Sequence, residues 1–79
     1  MTMNLKIRNS VDNSVISTEV EEGDSIGDLL LYAAEYWSNQ KYAMVMKVGS
    51  RLVPPNLSVS ETGLKDGDTV ILVPDPQGG

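Results

Sequence analysis

A chain of 79 residues, 41% hydrophobic and 22% charged, has room for one small domain and the composition of a globular one. It contains no cysteine and no histidine, which excludes disulfides, thiolate chemistry, the common zinc sites and the usual Ser-His or Cys-His nucleophile pairs. A formal net charge of −5 opposes binding to nucleic acid or to an anionic membrane surface, and suits a cationic groove on a partner protein. No apolar run approaches the roughly 20 residues that span a bilayer, and the opening MTMNLKIRNS has no signal-peptide core. With no cysteine, a cytoplasmic location is the expectation.

MNLKIRN alternates in polarity, with Met3, Leu5 and Ile7 on one face and Asn4, Lys6 and Arg8 on the other, which predicts a half-buried strand. SVDNS is a turn cluster, and VISTEV sets Ile16, Thr18 and Val20 on one face, so the first two strands read as a hairpin. Ser25 is placed as an N-cap with Asp28 three residues on, the spacing of a capping box. A helix then runs from about Ile26 to Trp37, with Ile26, Leu29, Leu30, Ala33, Tyr36 and Trp37 on its apolar period. Gly27 in the first turn weakens that helix by about 1 kcal/mol relative to alanine.

YAMVMKVG reads as a third strand with apolar residues on both faces, followed by a turn at Gly49-Ser50 and a short strand, RLV, that Pro54 and Pro55 end. A loop-rich return leads through the DGD turn to TVILV, whose two-faced apolarity predicts a central strand. The order strand, strand, helix, strand, short strand, strand predicts an α+β domain with a sheet packed over one helix.

After Val73 comes PDPQGG. Its two prolines stop the strand and hold the segment extended, and its glycines carry no side chain. The segment reads as a stiff arm with an unshielded carboxylate, fit to be drawn through a narrow channel and adenylated on ATP by another protein. The domain is then a substrate and a handle, and not itself an enzyme.

On these features the sequence resembles the ubiquitin-like β-grasp superfamily. STEVEEGDSI is similar to the family's second strand and helix entry, VGSRLVPPNLSVSETGLKDGDTVILV to its later turn, strands and loop, and Gly78-Gly79 falls at its reactive end. LKDGDTVILVPDPQGG also resembles the end of sulfur carriers such as the small subunit of molybdopterin synthase. The resemblance implies a β-grasp body over residues 1–73, with a mixed sheet of four to five strands, and an extended tail over 74–79. It implies a bacterial or archaeal system with a dedicated activating enzyme that uses ATP and magnesium, a conjugating enzyme, a processing or deconjugating peptidase, and target proteins. Gly78 and Gly79 would be the site of activation and conjugation, and Pro74, Asp75, Pro76 and Gln77 the segment that the activating enzyme reads. Ubiquitin's own tail is basic, whereas Asp75 and Gln77 stand here, so a eukaryotic-type activating enzyme is expected to read this tail poorly.

The resemblance also implies an apolar patch on the exposed sheet face, at Met44, Met46, Ile71 and Val73. That assignment holds if Val45 packs against the helix; with the strand flipped, the methionines fill the core. Tyr32, Tyr36 and Trp37 fit either core packing or a helix-side binding surface, and their bulk favours the core. The acids of EVEEGD read as a solvated turn or as a dock for a basic partner, and Asp66 and Asp68 as turn residues. Lys6, Lys41, Lys47 and Lys65 are potential acceptors for another copy. Three functions follow in order of preference: a protein modifier conjugated through Gly79, a sulfur carrier with a thiocarboxylate at Gly79, and a non-covalent adaptor.

Overall fold

The computed structural model describes residues 2–38 and 43–75. Strands β1 (Thr2–Asn9) and β2 (Val15–Glu21) form the hairpin, helix α1 spans Ile26–Tyr36, and β3 (Met44–Val48), β4 (Arg51–Val53) and β5 (Thr69–Pro74) complete one mixed sheet in the order β2-β1-β5-β3-β4. β5 is central: it runs parallel to β1 (Ile7↔Val70) and antiparallel to β3 (Met46↔Leu72). The architecture is the α+β arrangement that the element order predicts, and β5 has the central place that its two-faced apolarity requires.

Alternation sets which residues face the helix. Leu5 and Ile7 of β1, Ile16 and Val20 of β2, Met46 of β3, Val53 of β4, and Val70 and Leu72 of β5 are buried against Ile26, Leu29, Ala33 and Trp37. Burying a side chain of this size stabilises the fold by about 1.5–3 kcal/mol each, offset by the entropy of ordering the chain.

The helix begins where the capping box predicts. The Ser25 hydroxyl accepts the Asp28 N–H at 3.1 Å, and the Asp28 carboxylate accepts the Ser25 N–H at 3.1 Å. The 54–63 loop serves the next two N–H groups: Ile26 donates to the Leu57 carbonyl at 2.8 Å and Gly27 to the Pro55 carbonyl at 2.9 Å. A Cβ on Gly27 would lie 3.2 Å from that Pro55 oxygen. The close approach of loop to helix, and not helix propensity, accounts for the glycine. A second reciprocal cap holds the loop itself. Ser58 donates its N–H (2.9 Å) and its hydroxyl (3.0 Å) to the Glu61 carboxylate, and accepts the Glu61 N–H at 3.3 Å, at the entry to a 3-10 turn, Ser60–Thr62.

Several expectations change at the helix end and in β3. Trp37 is buried and its Nε1 donates to the Ser14 hydroxyl at 3.0 Å, tying the helix end to the β1–β2 turn. Tyr36, read as part of the same apolar period, is 61% exposed and meets Trp37 edge-on, and Tyr32 is exposed too. Trp37 takes the buried place at the helix end, and Tyr32 stands at the edge of the sheet beside Asn4 and Ser17–Glu19. Tyr42, the expected start of the third strand, lies outside the described residues.

Candidate functional site

In β3, Val45 does not pack against the helix. Met46 does, and it is fully buried, so it is no part of a surface patch. Met44 is half-buried and packs against the core from the same inner face. The reason lies in pairing: Met46 stands opposite Leu72 and Met44 opposite Pro74, so β3 has the register in which its methionines follow the inward residues of β5. The same register turns Val45, Lys47, Ile71 and Val73 outward, all half-buried. Of the four expected patch residues, Ile71 and Val73 stand on the outer face, and Met44 and Met46 on the inner one.

The outer face has an organisation that only the strand order reveals. Val15 pairs with Arg8, Arg8 with Ile71, Ile71 with Lys47 and Lys47 with Leu52. These five residues form one row across all five strands, roughly 19 Å wide at the usual strand spacing. Apolar and cationic side chains alternate along it, with Ile71 at the centre between Arg8 and Lys47. Val15 and Leu52, at the two ends, are 50% and 54% exposed. Val73 and Val45, paired with each other, adjoin the row on the side of the chain exit, and Lys6, beside Thr69, adjoins it on the other. Lys6, Arg8 and Lys47 are three of the six cations of an otherwise acidic chain. The acids of the same face, Glu19 and Glu21, sit at its far corner on β2, opposite Asn4 and Thr2. Arg8 is held by a 2.9 Å hydrogen bond from Nη1 to the Asn13 side-chain oxygen, which costs it no charge.

The segment read as the tail departs from this face. β5 continues through Pro74, and the Asp75 N–H donates to the Ala43 carbonyl at 2.8 Å. That bond skips Pro74, so its missing N–H is not called upon, and sheet pairing carries two residues beyond the expected body boundary at Val73. Pro74 is exposed and Asp75 half-buried. Pro76, Gln77, Gly78 and Gly79 lie outside the described residues, as does Lys41. Asp66 and Asp68 are turn residues: Asp66 accepts the Asn4 N–H at 2.6 Å, Asp68 accepts the Lys65 N–H at 2.9 Å, and Gly67 between them has φ +90°. Among the described residues no cluster of three or more acids stands close enough to hold a metal ion, and no helix is long and apolar enough to cross a membrane.

No protein-family model matches the sequence, and no curated protein does. Solved structures do. Caldiarchaeum subterraneum ubiquitin superposes with a TM-score of 0.84 at 20% identity, covering 100% of both chains. The UBL domain of Plasmodium falciparum Dsk2 gives 0.82 at 20% identity over 95% of this chain and 100% of that one. A protein described as a molecular mimic of SUMO in DNA repair gives 0.77 at 19% identity over 91% and 90%. Coverage of 90% or more in both directions, the β2-β1-β5-β3-β4 order and the one α-helix of the described residues across the inner face lead to one conclusion: this chain has the ubiquitin-like β-grasp fold.

Proposed function

We propose that this chain is a ubiquitin-like protein modifier, recognised through the outer face of its sheet and joined to target proteins through Gly79. The observation that carries the reading is the double use of β5. Ile71 of that strand centres the apolar and cationic row, Val73 adjoins it, and in sequence the strand leads through Asp75, pinned to Ala43, to PQGG. A partner seated on the row therefore has the start of the tail, at Asp75, at a fixed offset, which lowers the entropy cost of engaging that part of the chain. The row's cations suit partners whose contact surface is apolar and acid-rimmed.

The chemistry belongs to the partners. An oxygen of the Gly79 carboxylate attacks the α-phosphorus of ATP, and pyrophosphate leaves. A cysteine thiolate of the activating enzyme then displaces AMP from the acyl-adenylate to give a thioester. An amine of the target takes the acyl group, releases the thiolate and loses a proton. The glycines let an enclosing channel approach the backbone closely, and the prolines keep the arm extended as it enters. The bacterial setting and the dedicated activating enzyme, conjugating enzyme and peptidase are part of this reading.

Intact-mass measurement on the protein isolated from its host is the test. Higher-mass adducts that disappear when Gly78 and Gly79 are deleted establish conjugation. A gain equal to the mass difference between sulfur and oxygen establishes the sulfur carrier instead. A chain whose cellular effect survives the deletion, with no adduct, is an adaptor.

A further inference from the structure

At the end of β1 a polar residue stands where the alternation of the strand calls for an apolar one. Asn9 follows Leu5 and Ile7 on the inner face and is fully buried, and its Nδ2 has no hydrogen-bond partner among the described residues. An orphaned buried donor is costly and calls for an explanation. The other atoms of Asn9 supply one. Its Oδ1 accepts the Val11 N–H at 2.9 Å, its own N–H donates to the Ser14 carbonyl at 2.8 Å, and its carbonyl accepts the Asn13 N–H at 2.7 Å. Asn9 therefore fixes the β1–β2 turn from within. The turn places Asn13 in the left-handed region, at φ +64°, which asparagine tolerates better than most residues.

What this turn holds in place is Arg8. The Asn13 side-chain oxygen accepts from Nη1 of the half-buried Arg8 at 2.9 Å, whereas the side chains of Lys6 and Lys47 have no hydrogen bond among the described residues. The amide is neutral, so Arg8 keeps its full charge. Asp12, the acid of the same turn, is engaged elsewhere: hydrogen bonds from the Ser14 hydroxyl (2.6 Å) and N–H (3.0 Å), and not a cation, hold its carboxyl below the usual aspartate range. Only Nη1 of the guanidinium is used. Its Nε–Nη2 edge keeps two parallel donors, the fork that a carboxylate fits.

We propose that Arg8 is a carboxylate-binding subsite of the outer row. It takes an aspartate or glutamate side chain of a protein partner in a two-pronged hydrogen bond, while Ile71, beside it on β5, takes an apolar neighbour of that acid. Asn13 and Asn9 are positioning residues that hold the guanidinium ready. The inference rests on the outer row being the recognition face. A side chain that is already held loses less rotamer freedom on binding, so Arg8 contributes more than Lys47, the unheld cation on the other side of Ile71. The net charge of −5 disfavours the phosphates of a nucleic acid as the anion.

Nuclear magnetic resonance titration of the isotope-labelled full chain tests this. The probes are a short capped peptide with one glutamate between two leucines, and its twin with glutamine in that place. The glutamate peptide is expected to shift the Arg8 Nε–H and the Ile71 amide to saturation, with the glutamine twin about tenfold weaker. Arg8→Lys keeps the charge but loses the fork, and should give up most of that tenfold preference. Lys47→Arg should stay within about twofold of the unchanged chain. Asn13→Gly accepts the positive φ without strain and removes the oxygen that holds Arg8. It should weaken the glutamate peptide about threefold, and have no effect once Arg8 is replaced by lysine; a merely structural role would give the same loss in both backgrounds. That equal loss, equal binding of the two peptides, an Arg8→Lys chain that binds as the unchanged one does, or failure of the glutamate peptide to bind would each overturn the proposal. The titration needs no activation of Gly79, so its failure leaves conjugation standing. Saturable binding with no Gly79-dependent adducts in the host would instead overturn conjugation and support the subsite.

Discussion

The two faces of the sheet are built from the same strands and work differently. On the inner face, Met46, Val70 and Leu72 are fully or almost fully enclosed, and their neighbours are apolar save for the buried Asn9 opposite Leu72. On the outer face, one residue along each strand, Lys47 and Ile71 stand half-exposed beside Arg8. Packing energy grows with enclosure and is sensitive to a single methylene, whereas a half-exposed residue gains only part of that burial. The inner face therefore fixes stability, and the outer face is free to carry recognition. A domain of 79 residues has little stability to spare, so under the proposed modifier reading this separation is what would let one β5 strand serve both purposes.

The comparison can be broken most forcefully from inside. Met46→Ala should cost about 2–5 kcal/mol in chemical denaturation, a large share of what a domain this size has. A cost near zero would mean that Met46 is not core, and that the patch assignment with Val45 inward is right after all. Ser25→Ala, which removes the helix cap closing the inner layer, should cost about 1 kcal/mol. Trp37→Phe keeps most of the buried ring but loses the hydrogen bond to Ser14, and should cost about 0.5–1.5 kcal/mol. Ser14→Ala should reproduce most of that loss, and the double variant should be no worse than the Trp37 change alone if the bond accounts for it.

The smallest effect concerns acid. Hydrogen bonds from the Ser58 N–H and hydroxyl hold the Glu61 carboxyl below the usual glutamate range. A depressed folded pKa means that this contribution is present above the unfolded value and is lost as pH falls through the folded one. Glu61→Gln should therefore lower stability slightly near neutral pH, leave strongly acid pH almost unchanged, and so flatten the acid side of the stability profile. The effect is small because the group is exposed.

The same contrast explains what the sequence disclosed. Where a strand is polar on one face, as in Asn4, Lys6 and Arg8 against Leu5 and Ile7, period two names the buried side without ambiguity. The Ser25–Asp28 box, the DGD turn and the central place of β5 were legible for similar local reasons. Met44–Val48 carries apolar residues on both sides, so a one-residue shift exchanges the faces at no cost visible in sequence. Only the pairing with Leu72 decides it. The second cap, Ser58 with Glu61, was present in the sequence as the same S-x-x-acid spacing, but it opens a three-residue turn and has no apolar period behind it. The Val15–Arg8–Ile71–Lys47–Leu52 row draws on five separate segments, and strand order alone assembles it.

One variant tests the central claim that the outer row recognises while the inner face folds. Ile71→Asp places a charge at the centre of the row. The account predicts a chain that still folds, with a midpoint lowered far less than by Met46→Ala, and about a tenfold drop in Gly79-dependent adducts in the host, the scale of losing a central contact residue. Undiminished adduct formation by a normally folded Ile71→Asp chain would contradict it.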